Sequence, residues 1–156
     1  MTHHSWNPEA LRATLRTYPP YTGAGILVTH ITEDASEVRV EMPLTDTNVN
    51  LVGTHFGVSL YSMGDPHLML LLIQRLGPDY VVWDKEATID FRKPGVGTVH
   101  ATIRITDEEV EAIRSATADG DKHLPQWTLA VLDKQDEVVA TVVKTLYVRR
   151  KREGGR

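Results

Sequence analysis

The residues best suited to chemistry lie in one stretch, Asn50 to Leu76, where a polar loop with glycines runs into the most apolar part of the chain. Leu68 to Ile73 are six consecutive apolar residues. Beside them stands a single carboxylate, Asp65. A charge in apolar surroundings is costly unless paired or hydrogen-bonded, so Asp65 needs a reason to be there. One reason is functional. The other is structural: Gly64-Asp65-Pro66 reads as a helix restart, with Asp65 as N-cap and Pro66 at the first helical position. Nearby, Asn50 either orients water or substrate or closes an Asx turn. His55 is a candidate acid, base or carbonyl contact, or a solvated loop histidine. His67, two residues beyond Asp65, points from a different helix face.

Several chemistries are excluded. The chain has no cysteine, which removes disulfides, thiolate nucleophiles and Cys-based metal sites. Its seven histidines show no His-Glu-x-x-His or comparable spacing, so no metal site is expected. Ser59, in Gly57-Val58-Ser59-Leu60-Tyr61, lacks the second glycine of a nucleophile elbow. A net charge of −4 gives no general attraction to nucleic acid. The amino terminus has no apolar h-region and no apolar run is long enough for a membrane helix, so a cytoplasmic domain is expected.

The elements that must position these residues follow from periodicity. Residues 7–17 read as a helix capped by Asn7 and stopped at Tyr18-Pro19-Pro20-Tyr21. Strands are expected over 24–32 and 37–42, joined as a hairpin. Residues 57–76 read as a central helix of about five turns, apolar nearly all round, ended by Gly77-Pro78. Tyr80 to Arg92 alternates, with Val81, Trp83, Ala87, Ile89 and Phe91 on one face. Lys85 breaks that face; either it pairs with Asp65 or another buried acid, or a β-bulge turns it outward. A strand then places Val99, Ala101, Ile103 and Ile105 inward. An inserted helix over 107–118 starts with the capping box Thr106 to Glu109. Strands near 124–133 and 137–149 follow, then a basic tail over 149–156. The sum is one α+β domain whose sheet curls around the central helix.

That order, with the pattern Asn50-x-x-Gly53-Thr54-x-x-Gly57-x-x-Leu60-Tyr61-x-Met63-x-Asp65, resembles hotdog-fold acyl-CoA thioesterases of the phenylacetyl-CoA thioesterase type. Leu76-Gly77-x-Asp79-Tyr80 before Val82-Trp83-Asp84-Lys85 is closer still to an uncharacterised hotdog group linked to thioesterases by likeness alone. The likeness spans roughly residues 20–148. It implies an antiparallel sheet of five to six strands around a long helix. It also departs from the family pattern at two positions: Phe56 stands where a histidine is usual, with His55 beside it, and Val58 replaces a second glycine.

The resemblance implies a carboxylate, Asp65, acting as base or nucleophile toward an acyl carbon, on a substrate held at Gly57 of the partner. Lacking a Cβ, Gly57 lets a carbonyl approach the backbone amides at a helix start, which can stabilise an oxyanion. Thr54, Phe56 and Val58 flank it as substrate contacts. In such enzymes the turn after the long strand, here Arg92-Lys93-Pro94-Gly95, lies near the pantetheine and nucleotide of CoA; two cations beside a glycine turn suit phosphate, or merely aid solubility. No cofactor is implied beyond the CoA of the substrate. Two functions follow as alternatives, an acyl-CoA thioesterase and a non-catalytic domain binding an acyl or CoA-like ligand. A hydratase on this fold requires a His/Asp or His/Glu pair that the sequence does not supply. The long strand 80–92 is the expected seam of a homodimer, with a dimer of dimers as a further possibility.

Overall fold

The computed structural model describes residues 6–152; residues 1–5, read above as lacking an apolar leader, and 153–156, the end of the basic tail, lie outside it. Helix α1 spans Pro8–Arg16 and is capped as its sequence requires, with the Asn7 side chain accepting from the Ala10 amide at 2.9 Å. The first helix stops before Tyr18 as expected, with Thr17 as its C-cap. A second helix, α2 (Pro19–Ala24), begins there, because a proline in the first turn has the right φ and no amide to leave unpaired. Strands β1 (Leu27–Ile31) and β2 (Glu37–Met42) form the expected hairpin, β1 starting three residues later than the sequence pattern suggests.

The single helix expected over 57–76 is two helices, α3 (Gly57–Ser62) and α4 (His67–Leu76). Pro66 explains the break, since its ring collides with the carbonyl four residues earlier and it has no amide to donate. The chain turns instead, and the Asp65 amide bonds the Ser62 carbonyl at 3.4 Å. Asp65 is not an N-cap: Pro66 holds that position and no side chain caps α4.

Beyond α4 come β3 (Tyr80–Phe91), β4 (Val99–Arg104), α5 (Asp107–Ala116), the short β5 (Lys122–His123), β6 (Gln126–Leu132) and β7 (Val138–Arg150). The capping box of α5 forms in full, Thr106 accepting from the Glu109 amide and Glu109 accepting from Thr106. Arg149 and Arg150, assigned above to the basic tail, belong to β7. Among the described residues seven antiparallel strands, against the five to six expected, make one sheet in the order β1-β2-β4-β6-β7-β3, with the two-residue β5 also on β7. The sheet curls around α4, whose Leu68, Leu71, Leu72 and Leu76 are buried with Met42, Ile103, Leu146 and Val148. Each such leucine contributes about 1.5–3 kcal/mol by leaving water.

Strand β3 departs instructively from its pattern. Its register on β7 slips between Asp84 and Glu86, so a bulge lies at Lys85, which is exposed and unpaired with Asp65. The extra residue reverses the inward phase. Val82 packs on the core and Asp84 shares its face, whereas Trp83 points outward and stacks on Tyr147 with ring centroids 4.1 Å apart. After the bulge Ala87, Ile89 and Phe91 resume the expected face.

The two sheet edges differ. On β1, α1 lies across the edge: Arg12 donates to the Thr29 carbonyl at 3.3 Å and Trp6 to that of Thr32 at 3.4 Å. At the other end β3, 12 residues long, is the terminal strand.

Candidate active site

The loop before α3 is held by its own polar side chains. Asn48, buried, accepts from the Thr45 amide and donates to the carbonyls of Ala24 and Pro43, all at 2.8 Å. Asn50 accepts from the amides of Val52 and Thr54 at 3.0 and 3.1 Å and donates to Thr54 Oγ1 and the His55 carbonyl at 2.9 and 3.2 Å. Its Asx turn is thus formed and its amide group fully used. His55 is buried and joins this loop to the turn after β3. Its amide donates to the Gly95 carbonyl at 2.9 Å, and Nε2 donates to the Gly97 carbonyl at 2.8 Å. Nδ1 is buried with no partner among the described residues. Gly95 permits the contact, for a Cβ there would lie 3.2 Å from both the His55 ring and Val139.

Together these segments form a cleft of about 450 Å³, lined by Asn50, Thr54, His55, Gly57, Leu60, Phe91, Arg92, Lys93, Pro94 and Gly95. Gly57 opens α3 at its inner end. The Phe91 ring lies over it so closely that a Cβ on residue 57 would be 2.9 Å from the ring tip. Phe56 and Val58 stand beside the cleft, both more than half exposed. Its two cations are engaged nearby. Lys93 bonds Asp133 at 2.6 Å and also Glu137, which raises its pKa and lowers that of Asp133. Arg92 meets Asp90 at 3.0 Å in an exposed pair, the kind that costs little to break.

Just past α3, a second group of polar residues gathers around Asp65. Lys144, on β7, has no exposed surface, yet its ammonium meets three acceptors. These are Asp65 Oδ1 and Asp84 Oδ2, each at 3.1 Å, and the Asp65 carbonyl. The Tyr61 hydroxyl donates to the same Asp65 Oδ1 at 2.6 Å. Burial and then the Asp65 carboxylate raise the Tyr61 pKa, so the hydroxyl stays protonated and donates. Burial also raises that of Asp84, against the pull of Lys144. The Asp65 side chain is 46% exposed and its Oδ2 takes no bond from any described residue.

Behind this group lies a buried pair, the Tyr21 hydroxyl and His67 Nε2 at 2.7 Å. The hydroxyl also reaches the Met63 carbonyl at 3.3 Å. With Nε2 as donor to Tyr21 and Tyr21 as donor to Met63, only a lone pair at His67 Nδ1 stays unpaired. Burial, then the Lys144 charge, push the His67 pKa down to about 3, so it is neutral in the fold. Among the described residues no group of histidines and acids is arranged to hold a metal ion, and no helix is long and apolar enough to cross a membrane.

Of the ten residues singled out by sequence, seven line the cleft: Asn50, Thr54, His55, Gly57, Arg92, Lys93 and Gly95. Phe56 and Val58 flank it, and Asp65 lies at the far end of α3 paired with Lys144, while Lys85 follows the bulge alternative and turns outward. Lys144 left a signal, since Val142, Lys144, Leu146 and Val148 share one phase of β7 and all four are buried. So did Tyr61, one helical turn before Asp65. Asp84 left none, because the bulge at Lys85 reverses its apparent face.

Comparison with known proteins supports the architecture. The model of one family, described as a domain of unknown function (DUF4442), matches residues 9–148. No curated protein matches the chain. A crystal structure of a Pseudomonas aeruginosa protein of unknown function, a probable thioesterase, superposes with a TM-score of 0.80 at 22% identity, covering 95% of this chain and 99% of that one. A thioesterase from Haemophilus influenzae gives 0.68 at 14%, covering 98% and 97%. The PaaI protein of the Escherichia coli phenylacetic acid degradation operon gives 0.62 at 18%, covering 91% of each. At such identities the likeness establishes the fold, which is the hotdog fold.

Proposed function

The chain belongs to the DUF4442 family, and from the site it carries we propose that it is an acyl-CoA thioesterase acting on a small or medium acyl group without a metal or other cofactor. One observation supports this reading above the rest: α3 links a ligand-sized cleft at its first residue, Gly57, to a half-exposed carboxylate, Asp65, just past its last. In the reaction, Asp65 Oδ2 takes a proton from water as the water oxygen attacks the thioester carbon. The amides of Gly57 and Val58, which precede any available carbonyl of α3, stabilise the oxyanion, while that of Ser59 already bonds the Phe56 carbonyl at 3.0 Å. Collapse breaks the C–S bond, and the proton passes from Asp65 to the departing thiolate.

Gly57 and Asp65 are too far apart to act on one carbonyl within one copy. The six residues of α3 alone, at about 1.5 Å each, put roughly 9 Å between its ends, and Asp65 lies past the last of them in the following turn. A homodimer removes the difficulty. Strand β3, the edge that α1 leaves open, pairs with its symmetry mate, and each acyl carbon lies between Gly57 of one subunit and Asp65 of the partner subunit. Two such dimers can stack further. Arg92, released from its exposed pair, is the cation best placed for a CoA phosphate, since Lys93 already holds two carboxylates.

Thiol release from a panel of acyl-CoAs is the first test, and turnover above background is expected. Complementation then tests the shared site. Neither Asp65→Asn nor Gly57→Val protein should turn over alone, whereas a co-refolded equal mixture should recover about one quarter of wild-type activity, because half the dimers are mixed and each holds one intact site. Sedimentation showing a monomer would refute the arrangement. The Phe91 ring over Gly57 favours a second reading, a domain that binds acyl-CoA without cleaving it. Saturable binding with no thiol released would select it.

A further inference from the structure

We infer that Lys144 is a positioning residue for Asp65: it anchors Oδ1 and the backbone carbonyl together, and so presents Oδ2 as the outward, proton-accepting oxygen. The inference rests on the thioesterase reading for its catalytic meaning but not for its physical content.

An ammonium has three N–H groups and no acceptor. Here the three face three oxygens, Asp65 Oδ1, the Asp65 carbonyl and Asp84 Oδ2, so a lysine with no exposed surface has every N–H satisfied. Two of the three belong to one residue. Gripping the carbonyl and Oδ1 of Asp65 together fixes its side chain against its backbone, in the turn where Pro66 has broken the helix. Tyr61 adds a second donor to Oδ1, and its ring lies 5.8 Å from the ammonium. Both donors reach the same oxygen, which leaves Oδ2 bare on the exposed side.

The polar groups facing this ammonium are Tyr61 from α3, Asp65 from the turn and Asp84 from β3, while β6, on the other side of β7, sets Trp127 beside Lys144 in register. The neutral His67 of α4, bonded to Tyr21 of α2, lies behind them. Two carboxylates share one cation, so protons enter the group as a whole. Removing either charge moves that uptake in a known direction. Without Lys144 the carboxylates repel unopposed and protonate at higher pH; without the charge of Asp84, Lys144 serves Asp65 alone and protonation needs lower pH.

The test measures kcat and KM across pH for wild type, Lys144→Met and Asp84→Asn, with far-ultraviolet circular dichroism as the check on folding. In K144M, kcat should fall at least ~10-fold with KM changed less than ~3-fold, and the acid limb of kcat/KM should move up by about one pH unit. In D84N the limb should move down. A K144M protein with wild-type kcat and an unmoved limb overturns the inference, as does a D84N limb that is unmoved or raised. D84N keeps an oxygen for Lys144 and decides the matter where K144M fails to fold. Should the wild type release no thiol, the thioesterase reading fails by itself. Carboxyl carbon NMR titration of the same proteins then reads proton uptake directly, with the same opposite displacements expected and unmoved titrations overturning the role of Lys144.

Discussion

The two ends of α3 are built on opposite principles. At the Gly57 end, polar side chains are used to hold backbone: Asn48, Asn50 and His55 hydrogen-bond carbonyls and amides of their own and the neighbouring loop. At the Asp65 end, side chains hold side chains, and a buried cation organises two acids and a tyrosine. Polar residues in the first region therefore shape a cavity, while those in the second set the state of one functional group. The difference teaches that the motif residues of the loop are largely scaffold, whereas Asp65 is held both by a motif residue, Tyr61, and by Lys144 from a distant strand.

Substitutions should separate the two ends, the largest effects on stability first. Lys144→Ala removes both volume and the charge two acids share, and should cost about 2–5 kcal/mol by urea unfolding, whereas Lys144→Met keeps the volume and should cost much less. A similar loss for both would mean that charge, not filled space, holds this end together. His67 gives the region a pH signature. Its pKa is about 3 folded against an ordinary 6.5. Above about 6.5 both states carry it neutral and its contribution is whole. Below that only the unfolded chain takes the proton, so folding free energy should fall by about 1.4 kcal/mol per pH unit until the folded value is reached. Unfolding of His67→Leu between pH 6.5 and 4 should lack that part of the slope.

At the other end the effects on stability are smaller. Asn50→Ala removes the Asx turn and should cost about 1–2 kcal/mol, with the cleft loosened and KM raised. Gly57→Ala should cost less than about 1 kcal/mol, since the half-exposed Phe91 ring can swing aside, yet it should lower thiol release by narrowing the approach to the α3 amides. A large stability loss at Gly57 would make that glycine a packing requirement alone.

Much of the fold was legible because it rests on local signals. Asn7, the Thr106 to Glu109 box, and the alternation of Val99, Ala101 and Ile103 each dictate structure within a few residues. The break at Pro66 was present as a restart signal, but a run of apolar residues on both sides argued for one helix. The Asp65 partners were harder. Lys144 follows it by 79 residues and meets it only through the antiparallel register of β7. Asp84 turns inward through a bulge, and period-two counting cannot register an inserted residue. Ion-pair partners are set by topology, and topology is what a single sequence states least directly.

The account stands on Asp65 as the proton acceptor, and its most direct test is thiol release by wild type and Asp65→Asn on the same acyl-CoA panel. The asparagine keeps the shape and an oxygen for Tyr61 and Lys144, so folding should be retained, while kcat/KM on the best substrate should drop by about 10²–10⁴-fold. A well-folded D65N protein that turns over at the wild-type rate would contradict it.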